Sequence, residues 1–182
     1  FSRHLPEQKD FTDLLVDLTE SGYELLSQRD VNWKVAGIVV LDCLLDLEDD
    51  VSMVGGSAQA NMNEENRRIN IANYLRKVFQ DDSIGLESGT FVLGEAALSI
   101  GHLARIASTV ETEYLQSFYY PVAMQMLTTN NDDFLNLSGI LILKELGYNG
   151  PTMIYAKKKQ IFLALTEAIY SKNHIVRESA AE

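Results

Sequence analysis

The chain has 182 residues, 46% of them hydrophobic, and a formal net charge of −11, so it has enough apolar side chains for a core and is not a disordered tail. Residues 1–66 carry 14 acidic and 4 basic side chains, which argues against binding nucleic acid, since phosphates need clustered Lys and Arg. The longest apolar runs fall far short of the roughly 20 residues that span a bilayer, so no membrane span is predicted.

The first predicted unit is a pair of helices. Residues 10–29 place apolar side chains at three- and four-residue spacing with acidic residues between them, as in an amphipathic helix. Residues 32–47 are apolar around more of their circumference, which is typical of a helix packed on several sides. Residues 48–63 combine an acidic run, Gly55-Gly56 and small polar residues with little periodicity, and they predict a loop insertion.

Three further helix pairs are predicted after this loop. Residues 65–80 pair with 90–107, and residues 113–128 pair with 133–147. A final helix pair starts with Pro151, a favoured first helical residue. The chain is therefore predicted to be one all-α unit, 1–182, with these helix pairs: 10–47, 65–107, 113–147 and a truncated 151–182.

Small residues recur at corresponding places in the second helix of each pair. Gly37, Ala96, Gly139 and Ala180 are separated by 59, 43 and 41 residues. The last two intervals match the period of HEAT and armadillo repeats, and the loop at 48–63 accounts for the longer first interval. Since each pair covers its apolar face only by stacking on its neighbours, the spacing predicts a right-handed α-solenoid. A closed bundle of seven or eight helices is the alternative architecture.

The sequence offers no convincing chemical site. His4, His102 and His174 lack neighbours at metal-ligand spacing. Cys43 lies in a leucine-rich run, where a thiol usually packs in the core and is inert, whereas Trp33 opens the same helix and is expected to be partly exposed. No catalytic, cofactor-binding or metal-binding residue and no cofactor are predicted, and the partner-binding residues stay unknown.

Two basic groups and one sequon remain. Both basic groups are interpreted mainly as solvated helix surface, and the alternative is that they bind an acidic partner. One group is Arg67-Arg68 with Arg76-Lys77, and the other is Lys157 to Lys159. Lys158 lies near the centre of an apolar stripe, so its aliphatic stem is expected to pack while its charged end reaches outward. The sequon at Asn136 opens an apolar helix and is discounted as a glycosylation site.

The segment RRINIANYLRKVF, from Arg67 to Phe79, resembles the RxxRFANYLRxLL signature of the N-terminal HEAT region of the target of rapamycin (TOR) kinases. Further segments resemble that region in the same order, so that the resemblance covers roughly residues 24–182. These further segments are WKVAGIVVLDCLLDLE, EAALSIGHLAR, TEYLQSF, LSGILILKELG and SKNHIVRESAAE. The chain departs from the family at Asn70, where the signature has arginine, and at Leu135-Asn136, where the family has paired arginines.

This resemblance implies a non-catalytic scaffold segment of a TOR-type Ser/Thr protein kinase in growth signalling. It implies a dimeric complex and docking of a Raptor-like subunit. No kinase glycine-rich loop, catalytic loop or metal-binding motif occurs in the chain. The alternative is a HEAT adaptor of another class, a transport receptor or a phosphatase scaffold that binds protein partners.

The location and surroundings of the chain are also inferred. A single cysteine excludes an internal disulfide and suits a reducing compartment, so cytoplasm or nucleus is expected, and the family resemblance adds the lysosome or vacuole surface. A start at Phe1 without a signal-peptide pattern indicates an excised piece. Neighbouring repeats are expected to cover an open apolar face at Ile175, Val176 and Ala180.

Overall fold

The computed structural model describes residues 8–52, 58–129 and 131–182. Within these ranges the chain is helical and contains no strand, so the all-α prediction is confirmed. The α-helices are α1 (Gln8–Leu26), α2 (Val31–Ser52), α3 (Ala58–Val78), α4 (Leu86–Ile106), α5 (Thr109–Tyr114), α6 (Tyr120–Leu127), α7 (Asp133–Asn149), α8 (Pro151–Ile154), α9 (Lys158–Ala168) and α10 (His174–Ala181).

The loop predicted over 48–63 is wrong for most of its length. Helix α2 continues to Ser52, and α3 begins at Ala58; residues 53–57 lie outside the described residues. The first residues of α3, Ala58 to Met62, include two Ala, one Gln and one Met, which have high intrinsic helix propensity. The end of α2, residues 48–52, has no such composition, so it shows no sequence signal that predicts a helix.

The helices form two layers. One layer consists of α2, α4, α7 and α10, each packed on the next in that order. The other layer consists of α1, α3, α5 with α6, and α8 with α9, and its members pack on the first layer and on one another in chain order. We call these the inner and outer layers. An apolar core runs between them, with Leu41, Leu75, Leu93, Leu115 and Leu137 almost completely buried.

Two glycines mark the closest crossings between the layers. A Cβ atom added at Gly37 of α2 would lie 2.8 Å from the carbonyl oxygen of Gly22 in α1. One added at Gly139 of α7 would lie 2.5 Å from the carbonyl oxygen of Ala123 in α6. Both distances are shorter than real Cβ contacts, so only glycine allows these backbones to approach this closely. Close helix approach at these two aligned positions was predicted from the sequence and is confirmed.

The outer helix of the third pair is not continuous α-helix. Between α5 and α6, residues Leu115–Tyr119 form a π-helical turn, and α6 then carries Pro121 in its first turn. A π turn holds one residue more than an α turn, and proline has no N–H for the preceding helical hydrogen bond. The turn places the Tyr119 side chain in the core, where it is fully buried.

Candidate interaction surfaces

The histidines singled out from the sequence do not come together. The Nδ1 atom of His102 lies 3.2 Å from Oδ1 of Asp42, which links α4 to α2, and His174 is exposed at the start of α10. His4 lies outside the described residues. Among the residues that are described, no three His, Cys, Asp or Glu side chains are grouped as they would be around a metal ion.

None of the described helices combines the length and the apolar character needed to cross a membrane.

Cys43 is exposed, so its predicted burial in the core is wrong. It lies on α2 close to the buried Leu41 and Leu44. Successive residues of an α-helix point about 100° apart, however, and the side chain of Cys43 is on a side of α2 that no described element covers. Val39, one turn earlier, is 47% exposed, and Trp33 at the start of α2 is 56% exposed, as predicted for Trp33. The first inner helix therefore presents an uncovered apolar side.

The TOR-like signature in α3 is mainly a packing device. Ala72 is fully buried, and its carbonyl oxygen accepts a hydrogen bond from the Tyr119 hydroxyl. The Tyr114 hydroxyl donates to Oδ1 of Asn73 at 2.8 Å, and burial raises the pKa of Tyr114 to about 12. Both tyrosines belong to the third pair, so the signature helix joins the second pair to the third.

Arg68 and Arg76 of this helix are not a solvated surface, contrary to the sequence interpretation, whereas Lys77 is exposed as that interpretation predicts. Arg68 is only 7% exposed, and its Nε lies 3.6 Å from Oε1 of the fully buried Glu111 at the start of α5. Burial raises the pKa of Glu111, although the Ser108 N–H and the Arg68 charge act in the opposite direction. The Arg76 guanidinium stacks over the Phe118 ring, 4.8 Å from its centroid. These cations stabilise contacts within the chain.

Tyr74 connects the same helix to the first pair. Its ring stacks on that of Tyr23 in α1, with 3.3 Å between centroids and 19° between planes. The Lys77 ammonium lies 4.3 Å from the centroid of the Tyr74 ring. Burial raises the pKa of Tyr23. Since α3 contacts both its preceding and its following neighbour, its signature residues hold three successive helix pairs together.

The side chain of Asn136 caps the C-terminal end of α6. Its Nδ2 atom donates to the carbonyl oxygens of Met126, Leu127 and Thr129, at 3.0, 3.0 and 2.9 Å. These carbonyls lie where a helix runs out of its own donors. The sequon amide is therefore part of a helix cap, in line with its dismissal as a glycosylation site.

A groove of about 520 Å³ lies between α7, α9 and α10. Its lining is largely apolar, and Tyr148, Tyr155 and Phe162 are 73%, 66% and 74% exposed. An ion pair between Lys144 and Glu182 stands at its edge. Lys158 donates to the Tyr155 hydroxyl at 3.0 Å, with its ammonium 4.1 Å from the ring centroid, so its charged end is at the surface as predicted.

The open apolar face predicted at the last helix is wrong in two of its three residues. Val176 is fully buried and Ala180 is 8% exposed, because α10 packs on α7 and α9. Ile175 is partly buried. The exposed apolar side chains at this end belong instead to α7, to α9 and to the segment between α8 and α9. Sequence periodicity identified the apolar residues but not which neighbour covers them.

Comparison with known proteins shows a distant similarity of sequence to part of a protein kinase. The chain is 28% identical over 167 residues to serine/threonine-protein kinase tor1 of Schizosaccharomyces pombe. The match covers 91% of this chain but only 6% of the kinase, so the chain spans a small part of that protein's length. No family model matches the chain. The resemblance recognised in the signature helix is thus confirmed, and the chain is a helical segment distantly related to part of a TOR kinase.

Proposed function

We propose that this chain is a non-catalytic HEAT-repeat scaffold segment of a TOR-type Ser/Thr protein kinase. The observation that carries the proposal is the similarity to tor1 over 91% of the chain. The layered helix order supports it independently, because helix pairs that pack on the pairs before and after them are the units of a repeat array.

The proposed repeats are 10–47, 65–107, 113–147 and 151–182, stacked as a right-handed α-solenoid. Gly37 and Gly139 support this division, because they make the same close crossing in the first and third pairs. A closed bundle would pack the first pair on the fourth. The main contacts of α10 are instead with α7 and α9, which favours the open array.

The proposed role is assembly of the kinase complex. In this role the segment helps to build a dimeric complex and docks a Raptor-like subunit during nutrient and growth signalling. The expected location is the cytoplasm, including the lysosome or vacuole surface. The surface of the chain carries aromatic side chains, of which Trp33 is 56% exposed and Tyr170 is 82% exposed. Aromatic side chains of this type often anchor protein interfaces. Phosphate transfer then belongs to other parts of the kinase.

A competition experiment tests the docking role. Full-length kinase is captured with the Raptor-like subunit in the presence of the isolated 182-residue chain, and the recovered subunit is quantified. We expect the isolated chain to lower recovery. The control competitor is the same chain with Gly139→Leu, which overpacks the α6–α7 crossing and disturbs the fold, and it should compete less.

Two outcomes count against the proposal. Undiminished recovery at saturating competitor, together with undiminished recovery by a stably folded kinase lacking these repeats, would remove the docking role. It would leave a HEAT adaptor with other protein partners as the better interpretation. Phosphate transfer by the purified chain to a peptide would remove the non-catalytic role.

A further inference from the structure

The groove between α7, α9 and α10 lies in line with the end of α10. Helices α7 and α10 run in the same direction: Asn173, just before α10, donates to Oδ2 of Asp133 at the start of α7, at 3.2 Å. Farther along, Lys144 of α7 pairs with Glu182 directly after α10. The groove begins at this ion pair, with Ser179 and Ala180 in its wall.

Helix α10 is too short to cover its neighbour. It has 8 residues, whereas α7 has 17. Since the end of α10 is paired with Lys144, the five residues 145–149 of α7, roughly 7.5 Å of helix, extend past it. The α7 residues beyond Lys144 that line the groove, Gly147 and Tyr148, therefore lie past the end of α10. Tyr148 is 73% exposed as a result.

The opposite side of α7 shows what full coverage looks like. Helix α4 follows α7 to its end, so that a Cβ atom added at Gly101 would lie 2.6 Å from both Glu145 and Asn149. On the groove side this stretch of α7 contacts the short outer helix α8, but no inner helix of the described residues lies beside it. The wall of the groove that faces α7 is formed by Tyr155, Ile161 and Phe162. This wall is apolar, like the interface between two inner helices.

We propose that the occupant of this groove is a continuation of α10 beyond Glu182, at least about five residues long, whose apolar side faces Tyr148, Tyr155 and Phe162. This inference rests on the proposed function, because it requires that the chain be part of a longer polypeptide. The match to only 6% of the length of tor1 supports that requirement. The occupant is then a segment of the same polypeptide and not a separate subunit.

Thiol labelling tests the proposal at one position. Tyr148→Cys is made in a Cys43→Ser background, and its labelling rate is compared between the 182-residue chain and the same residues with their natural C-terminal extension. Tyr170→Cys is the matched control, because Tyr170 is 82% exposed and does not line the groove. These reactions contain no other subunit, and a separate reaction adds a Raptor-like subunit.

We expect the extension to slow labelling of Tyr148→Cys by at least about tenfold and to leave Tyr170→Cys nearly unchanged. Two prolines placed about one turn beyond Glu182 should restore fast labelling by breaking the helix. Equal rates at Tyr148→Cys with and without the extension would overturn the proposal, as would protection that survives the prolines. Protection that appears only when a Raptor-like subunit is added would also overturn it, yet would leave the docking role intact.

Discussion

Lys34 of α2 and Asp81, which follows α3, form an ion pair with 2.8 Å between Nζ and Oδ2. Lys34 is only 5% exposed, and its ammonium also donates to the carbonyl oxygen of Leu26, the last residue of α1, at 3.0 Å. One buried cation thus joins the end of α1, the start of α2 and the connection after α3.

This ion pair predicts a specific pH dependence of stability. Burial acts to raise the pKa of Asp81, but hydrogen bonds from Lys34 and Ser83 and the charge of Lys34 together hold it below its ordinary value of 3.8. A carboxyl whose pKa is lowered by folding contributes stability that is fully present above its unfolded pKa and is lost as the pH falls through the folded pKa.

We expect Asp81→Asn to lower the free energy of unfolding at pH 7 by about 1–3 kcal/mol, because it leaves the buried ammonium with poorer acceptors. The difference from the unmodified chain should shrink as the pH falls below about 4. Urea unfolding at a series of pH values measures the loss of stability and its dependence on pH. Asp17→Asn, at an exposed position on α1, is the control. A loss that stayed constant down to the lowest pH would contradict the assignment.

The glycine crossings predict opposite effects for one substitution at two sites. Gly139→Ala should destabilise the chain by about 1–3 kcal/mol, because the added Cβ meets the backbone of Ala123 and Leu127. Gly94→Ala in α4 should be neutral or stabilising by up to about 1 kcal/mol, because nothing lies within 4 Å of a Cβ there. Thermal unfolding of both variants checks this. Similar melting temperatures would show that α6 and α7 are not in close contact.

The cap made by Asn136 predicts that charge matters more than size. Asn136→Ala should cost about 1–3 kcal/mol, because three carbonyl oxygens at the end of α6 lose their donor. Asn136→Asp keeps the shape but places an acceptor against acceptors, so its loss should be larger at pH 7. Chemical denaturation compares the two. If the aspartate variant were as stable as the unmodified chain, the amide would not be the donor.

The exposed thiol of Cys43 is expected to react rapidly and stoichiometrically with a thiol reagent in the folded 182-residue chain. The rate should be close to that in urea, since no described element covers the side chain. Mass spectrometry measures the labelling, and Cys43→Ser gives the background. Protection of the thiol in the native chain would instead restore the burial predicted from the sequence.

The all-α class was predictable because apolar spacing records which side of a helix is buried. The same spacing does not record whether a neighbour is present, which is why Cys43 was misplaced. The ion pair between Arg68 and Glu111 was missed because it joins residues far apart in sequence. The position of Glu111 at a helix start could have been read from the sequence, because Ser108 and Glu111 form a capping box, which has the pattern S-x-x-E. This capping box places the start of α5 at Thr109 rather than near residue 113.

The π turn at Leu115–Tyr119 makes this helix tolerant of one residue in length. A π turn holds one residue more than an α turn, so the extra residue is absorbed within the turn, and α5 and α6 face the same sides as they would in an uninterrupted α-helix with one residue fewer. Deleting one residue here is therefore expected to straighten the helix and to keep Ala123 against Gly139. A homologue with one residue fewer before Pro121 should then have a straight α-helix and the same crossing of α6 with α7, differing mainly in the side chain that fills the place of Tyr119.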